Sequence, residues 1–187
     1  MPSKPAQQVH GSAYARALGR LARRDHSVEE LRRALRRAGY GEAEIDHALA
    51  RLTAERYLDD AGFAARFARS RIARHGLGRH RVRQGLRARG VARATAEAGL
   101  QEALADVSEA ETLEALARRY WRQHKDEAAP RRLQKLWVFL LRRGFPADLV
   151  GARLRALWPR WADALLDLPP LEPDPDEGAE RDRKSVV

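Results

Sequence analysis

The chain has 187 residues, of which 44% are hydrophobic and 33% are charged. Its formal net charge is +10, and 32 of its 36 cationic residues are arginine. The absence of cysteine excludes a disulfide scaffold, a thiol nucleophile and a zinc site built on cysteine. No apolar run approaches the roughly 20 residues that cross a bilayer, and residues 1–11 lack the apolar stretch of a secretory signal. We therefore expect a cytoplasmic protein with no membrane partner.

Helical periodicity runs along the whole chain and strand patterns are nearly absent, so the sequence predicts an all-α protein. Three glycines, Gly39, Gly90 and Gly144, each follow an apolar stretch, which is typical of a glycine that ends a helix in the left-handed conformation. Apolar residues recur around each glycine at five matched offsets: Leu31, Leu35, Tyr40, Ile45 and Leu49; Val82, Leu86, Val91, Ala96 and Leu100; Leu136, Leu140, Phe145, Val150 and Leu154. This repeat predicts three tandem helical modules of about fifty residues each.

Local signals place the ends of the predicted helices. In chain order these helices cover residues 13–24, from Ser27 to Gly39, from Gly41 to near Tyr57, from Asp60 to Gly76, 79–89, 93–105, 108–124, from Pro130 to Gly144, and from Pro146 to Pro159. Ser27-Val28-Glu29-Glu30 and Ser108-Glu109-Ala110-Glu111 have the pattern of capping boxes. Asp59 and Asp60 are expected to accept hydrogen bonds from the free N–H groups of the helix that they open.

The elements divide the chain into three three-helix modules, at residues 12–57, 58–106 and 107–166. Modules of this size stack on their neighbours, so we expect an elongated, curved array. Residues 1–11 are expected to be disordered. Residues 167–187 are expected to form a disordered acidic tail, because the sequence after Leu168 is rich in proline and holds six acids against three bases.

The sequence contains no constellation that is typical of catalysis. It lacks the P-loop, the GxSxG and the HExxH patterns, and its six histidines are not spaced as metal ligands. Adjacent acids such as Asp59 and Asp60 could hold a metal, but at a helix start they are far more often caps. We therefore expect a protein that is not an enzyme and that has no metal or cofactor.

The distribution of positive charge is the most informative feature. Between Gly62 and Ala96 there is no acid and there are ten arginines. A solvated helix face normally mixes charges, so this segment favours an anionic partner such as DNA, RNA or an acidic protein. The general excess of arginine over lysine also fits a GC-rich genome and is weak evidence by itself.

Module three holds all four tryptophans, at positions 121, 137, 158 and 161. Their helical spacing with aliphatic residues favours a larger local core. Trp137 lies outside the core register and is predicted to be an exposed aromatic residue that could contact a partner.

Three segments resemble the RecX regulatory proteins of bacteria. They are Ser27-Val28-Glu29-Glu30-Leu31 with the turn at Gly39, Tyr57-Leu58-Asp59-Asp60 followed by Phe63-Ala64, and the stretch from Gly76 to Gly90. The similarity covers about residues 12–166, and Arg56 departs from it because the family often has glycine there. The resemblance implies structural roles for Tyr57, Leu58, Asp59, Asp60, Phe63, Gly39 and Gly90.

The resemblance also implies a function. Such a protein would lie in the groove of the RecA filament on single-stranded DNA, close to DNA phosphate, and would inhibit filament extension and the recombinase, ATPase and co-protease activities, so modulating DNA repair. We expect a monomer in which the following side chains face the filament: Arg66, Arg69, Arg81, Arg83 and Arg87. The alternatives are a sequence-independent DNA- or RNA-binding protein that acts without RecA, and an adaptor for another acidic protein.

Overall fold

The computed structural model describes residues 11–161, and this part of the chain contains nine α-helices and no strand. The helices are α1 (Ala13–Leu21), α2 (Val28–Arg37), α3 (Glu42–Ala54), α4 (Asp60–Ala73), α5 (Arg79–Ala88), α6 (Arg93–Asp106), α7 (Glu109–Gln123), α8 (Ala129–Arg142) and α9 (Ala147–Leu157), followed by a 3₁₀ helix, Pro159–Trp161. Apart from Gly11, the segments expected to be disordered, 1–11 and 167–187, lie outside the described residues. None of the described helices is long and apolar enough to span a membrane.

The helices form three modules, α1–α3, α4–α6 and α7–α9, and each module has its own apolar core. All fifteen positions of the sequence repeat are buried, the most exposed being Tyr40 at 7%. The prediction of an all-α fold made of three three-helix modules is therefore confirmed. The repeat positions are buried because each set places one face of the second helix against one face of the third.

The three repeat glycines end α2, α5 and α8 in the same way. Gly39, Gly90 and Gly144 have φ values of +91°, +76° and +87°. The residue after each glycine donates its N–H to a carbonyl five residues earlier, as Tyr40 does to Leu35 at 3.3 Å. This is the Schellman arrangement, which satisfies carbonyls that the helix end would leave without partners.

Two predicted helix ends need correction. The first helix ends at Leu21 rather than Arg24, and α3 ends at Ala54 rather than near Tyr57. Arg56 explains the early end of α3, because its φ of +61° lies in the left-handed region and cannot continue the helix. The predicted capping box at Ser27 is complete. The Ser27 side chain accepts from the backbone N–H of Glu30, and the Glu30 side chain accepts from the backbone N–H of Ser27.

The second helices of the modules are joined end to end. Ser27, the N-cap of α2, donates its hydroxyl to the carbonyl of Arg89, the C-cap of α5, at 2.5 Å. Gly78, the N-cap of α5, donates its N–H to the carbonyl of Arg143, the C-cap of α8, at 2.9 Å. The N-terminus of α2 therefore meets the C-terminus of α5, and α5 meets α8 in the same sense. The positive end of one helix dipole faces the negative end of the next.

Acidic side chains reinforce both junctions. Asp60, at the start of α4, accepts from the N–H of Val28 at 2.9 Å, and Glu109, at the start of α7, accepts from the N–H of Arg79 at 2.7 Å. The expectation that Asp60 caps its own helix is therefore wrong, because its carboxylate turns to the preceding module. Asp59 does cap α4, by accepting from the N–H of Ala61 at 3.0 Å.

Candidate interaction surface

The five arginines singled out from the sequence lie on α4 and α5, on the faces turned away from the core of module two. The core-facing positions of α4 are filled by Phe63, Ala64, Ala68 and Ile72, and those of α5 by Val82 and Leu86. The side chain of Arg66 is 55% exposed, and those of Arg69 and Arg83 are 36% and 35% exposed. Arg81 and Arg87 are exposed residues. All five side chains therefore lie on the side of their helices that is turned away from the core.

Three of the five arginines are paired with acids. Arg66 Nε lies 2.7 Å from Asp25 Oδ2 in the α1–α2 loop, and Arg83 Nε lies 2.6 Å from Glu97 Oε1 on α6. Arg69 donates through Nε to Asp106 Oδ2 at 3.0 Å, at the end of α6. The expectation of an unneutralised cluster is wrong for these side chains, because neighbouring elements bring acids from outside the 62–96 segment.

Two further arginines of the segment have acidic partners at the module junctions. Arg79 forms an ion pair with the buried Glu109 at 2.6 Å, and Arg89 lies 3.6 Å from Glu30 of module one. Within residues 11–161, the other five arginines of the segment form no ion pair: Arg71, Arg74, Arg81, Arg87 and Arg93. The free positive charge of module two is therefore about half of what its sequence indicates, and Arg81 and Arg87 carry it on α5.

An open cavity of about 350 Å³ lies between α4 and α5 and contains three of the arginines. We call it the arginine pocket, and its lining residues are Phe67, Arg71, Leu77, Arg81, Gln84, Gly85 and Arg89. The guanidinium carbons of Arg71 and Arg89 lie 5.0 Å and 4.5 Å from the centre of the Phe67 ring. Burial lowers the pKa of Arg89 from its usual value, although a guanidinium remains protonated at physiological pH. No acid lines this pocket.

Sequence reasoning missed the arginine pocket as a unit. The signal was present in Phe67 and Arg71, which are four residues apart and so share a face of α4. Arg89 could not have been assigned to the same place, because it follows the last turn of α5 and its position depends on how α5 crosses α4.

Most of the residues that carry the family resemblance have identifiable structural roles. Leu58 and Phe63 are buried at 2% and 4% exposure, Gly39 and Gly90 form the helix-ending turns, and Asp59 and Asp60 are caps. Tyr57 differs, because 55% of it is exposed. Its backbone N–H donates to the carbonyl of Leu52 at 2.9 Å, while its ring does not contribute to the core.

The prediction of an exposed Trp137 is wrong. This side chain is half-buried and packs against the core of module three. It lies beside Gly151 of α9, where a Cβ would be at the ordinary van der Waals distance of 3.4 Å from Trp137 Cζ3. Trp121 and Trp158 are also partly buried, with ring centres 4.5 Å apart, so the described aromatic residues of module three mainly build its core.

Three protein-family models match the chain in order. Residues 13–52 match the first three-helix domain of RecX, residues 59–100 the second, and residues 108–152 the third. The chain belongs to the RecX family. The three matched domains correspond to α1–α3, α4–α6 and α7–α9, so the arginine pocket lies in the second RecX domain.

Curated relatives and solved structures of RecX agree with this assignment. The chain is 33% identical over 136 residues to regulatory protein RecX of Haemophilus influenzae strain PittEE, covering 70% of this chain and 88% of that protein. It is 36% identical over 138 residues to regulatory protein RecX of Pseudomonas putida strain GB-1, covering 74% and 86%.

The crystal structure of RecX from Lactobacillus salivarius superposes with a TM-score of 0.68 at 20% identity, over 78% of this chain and 94% of that one. A second RecX crystal structure gives 0.65 at 24% identity, over 81% and 71%. These structures share the fold of this chain, and the relatives are named as regulatory proteins. The chain therefore has a RecX-type regulatory role.

Proposed function

We propose that this RecX-family chain is a negative regulator of RecA that acts as a cytoplasmic monomer and is not an enzyme. It binds in the groove of the RecA filament on single-stranded DNA and inhibits filament extension together with the recombinase, ATPase and co-protease activities. The observation that carries the proposal is the presence of all three RecX domains in their order. A regulator of homologous recombination and of the SOS response needs a surface for the filament and no catalytic constellation of its own.

The charges of module two support a filament-facing role for α5. Arg81 and Arg87 are exposed and form no ion pair within the described part of the chain. The side chain of Arg81 donates to the neutral Gln84, whose Oε1 accepts at 2.9 Å, so both arginines can contact phosphate or carboxylate without first breaking an ion pair. Arg66, Arg69 and Arg83 would have to exchange Asp25, Asp106 and Glu97 for groups of the filament. We therefore assign the first contacts to Arg81 and Arg87, and the later ones to the three paired arginines.

The deciding experiment measures ATP hydrolysis by RecA that is already assembled on single-stranded DNA. The chain is titrated in at amounts below that of RecA. Inhibition at these amounts is expected, because a few molecules lodged in the filament can block it. A protein that merely competes for DNA would inhibit only when enough of it is present to cover the strand. Absence of inhibition, or inhibition only when the DNA is saturated with this protein, would refute the proposal.

A matched pair of variants tests the assignment of the arginines. Arg81→Gln with Arg87→Gln should weaken inhibition without changing helicity. The control is Arg119→Gln with Arg131→Gln, which removes two exposed arginines of module three that form no ion pair among the described residues. Equal inhibition by the two double variants would show that charge loss at α5 has no special effect.

Direct binding to nucleic acid without RecA is the second candidate function. It is favoured by the exposed arginines of module two that lack acidic partners in residues 11–161. A plain nucleic-acid binder would bind an oligothymidylate in the absence of RecA, with affinity that falls steeply as salt rises because counterions are released from phosphate.

A further inference from the structure

The arginine pocket has the chemistry of a site for an acidic peptide segment. Arg71, Arg81 and Arg89 line it with three positive charges, of which Arg89 also lies 3.6 Å from Glu30, and Phe67 and Leu77 are its apolar lining residues. A carboxylate next to an aliphatic side chain would use both parts. Leu77 is the apolar side chain of the pocket that the arginines do not cover, because Arg71 and Arg89 already lie against the Phe67 ring. An aliphatic side chain can pack on Leu77, whereas a base finds no free aromatic ring there for stacking.

The chain itself contains a segment of the complementary kind. Leu168–Glu180 lies outside the described residues and has the sequence LPPLEPDPDEGAE. It holds five acids and no base, and it carries aliphatic side chains at Leu168 and Leu171. Opposite charges and matching apolar groups favour the segment bound in the pocket over the segment free in solvent.

The acidic segment is long enough to reach the pocket. The N–H of His80, next to Arg81 of the pocket, donates to the carbonyl of Gly144 at 3.0 Å. From Gly144 the chain passes through the eleven residues of α9, about 16 Å long, and six further residues of at most about 21 Å to Trp161. The pocket is therefore within about 40 Å of Trp161. Glu172 and Glu177 are 11 and 16 residues beyond Trp161, a reach of about 36 Å and 53 Å in an extended chain.

We propose that the segment Leu168–Glu180 docks into the arginine pocket of its own chain and covers the free charge of module two. The docked segment competes with any anionic partner for Arg71 and Arg81. Binding of a partner then requires release of the segment, so the segment lowers the apparent affinity of module two for anionic partners. This regulation goes beyond the proposed function, and its test contains no RecA, so either can fail without the other.

The test uses a fluorescein-labelled peptide with the sequence of residues 168–180 and measures its anisotropy at low salt. It is titrated with the full wild-type chain and with a full-length neutral-tail variant, Glu172→Gln, Asp174→Asn, Asp176→Asn and Glu177→Gln. The neutral-tail variant is expected to bind the peptide about tenfold more tightly, because a tethered competitor acts at an effective concentration in the millimolar range. A peptide with the same four acids replaced by amides should not bind.

A second comparison locates the site. Adding Arg71→Gln and Arg81→Gln to the neutral-tail variant should abolish most of the peptide binding, whereas adding Arg119→Gln and Arg131→Gln should preserve it. Circular dichroism and thermal unfolding establish that each variant remains folded.

Three outcomes would overturn the proposal. Equal affinity of the wild-type and neutral-tail chains would mean that the segment does not occupy the pocket, which would then be a site for a partner's acidic peptide. Binding that is insensitive to Arg71→Gln and Arg81→Gln would place the peptide elsewhere. If the peptide fails to bind while an oligothymidylate binds and depends on these two arginines, the pocket is a nucleic-acid site.

Discussion

Asp60 and Glu109 occupy equivalent positions in successive modules and make the same contact. Each is the first residue of the leading helix of its module, and each accepts a hydrogen bond from the first N–H of the second helix of the module before, that of Val28 or Arg79. The two junctions of the array are therefore copies of one design, in which an acid of one module caps a helix of its neighbour.

The contribution of Asp60 to stability is expected to come from its acceptor oxygen more than from its negative charge. Asp60→Ala leaves the N–H of Val28 without this acceptor and should lower the free energy of unfolding by about 1 kcal/mol. Asp60→Asn keeps an acceptor and should be the milder change. Urea denaturation followed by circular dichroism measures both, and equal loss in the two variants would contradict the capping role.

The pH dependence of Asp60 provides a separate check. Burial raises the pKa of Asp60 above its usual range, although the hydrogen bond from Val28 acts in the opposite direction. The folded state therefore binds this proton more tightly than the unfolded state. The contribution of Asp60 to stability falls as pH rises from its pKa in the unfolded chain through its higher pKa in the folded chain. Asp60→Asn does not titrate, so the stability of the wild type relative to this variant should fall between acid pH and neutrality. A relative stability that rises with pH would contradict the assignment.

The glycines at the module junctions should not tolerate a side chain. A Cβ at Gly90 would overlap Glu29, and one at Gly144 would overlap the backbone of Arg81, in addition to the strain of a positive φ. Gly90→Ala and Gly144→Ala should each cost about 2 kcal/mol or more.

Gly19 is the matched control for the two junction glycines. It lies inside α1 with open space around it, so Gly19→Ala should increase the unfolding free energy by about 0.5–1 kcal/mol. Loss of stability in this control would show that glycine-to-alanine changes act here through something other than turn geometry.

Arg56 is expected to be a site where stability can be gained. It is the only non-glycine with a positive φ among residues 11–161, and a left-handed conformation costs an L-residue about 1–2 kcal/mol. Arg56→Gly should therefore raise the unfolding midpoint in urea. Arg56→Ala removes the same charge but keeps the strain, so a similar gain in that variant would attribute the effect to charge instead.

The acids that neutralise module two should limit its affinity for polyanions. Asp25→Asn frees Arg66 from its partner at 2.7 Å, and it should raise the affinity for an oligothymidylate a few-fold at low salt. The gain should shrink as salt rises, because exposed charges are screened. Asp148→Asn removes an exposed acid of module three and should give a smaller change. Equal effects would mean that only net charge matters.

The sequence was sufficient to predict the modules but not the ion pairs that neutralise the arginines of module two. The repeat positions and the helix-ending glycines depend on contacts within about twenty residues, which helical periodicity encodes directly. The partners of Arg66 and Arg83 depend on how separate helices cross, and that information is absent from any single window of the sequence. Asp60 illustrates the same limit, since its type and place fit a local cap while its acceptor oxygen turns to Val28, 32 residues earlier.

The error at Trp137 has a related cause. A helical wheel built on α8 alone treats the core as one narrow face, whereas Trp137 at its edge also packs beside Gly151 of α9. The exposure of a residue at the edge of a helix face depends on its neighbours on other helices. The arginine pocket was missed for the same reason, because Arg89 joins Phe67 only through the crossing of α5 and α4.

The end-to-end junctions also determine where the protein opens first. Each module has a separate core, and the outer modules are held by one junction while the middle module is held by two. Opening an outer module breaks one set of bonds between helix ends, whereas opening the middle module breaks both, so the array frays from its ends inward. Slow amide hydrogen exchange should therefore concentrate in α4–α6, and the helices that carry the arginines should be the last to lose their geometry under heat or denaturant.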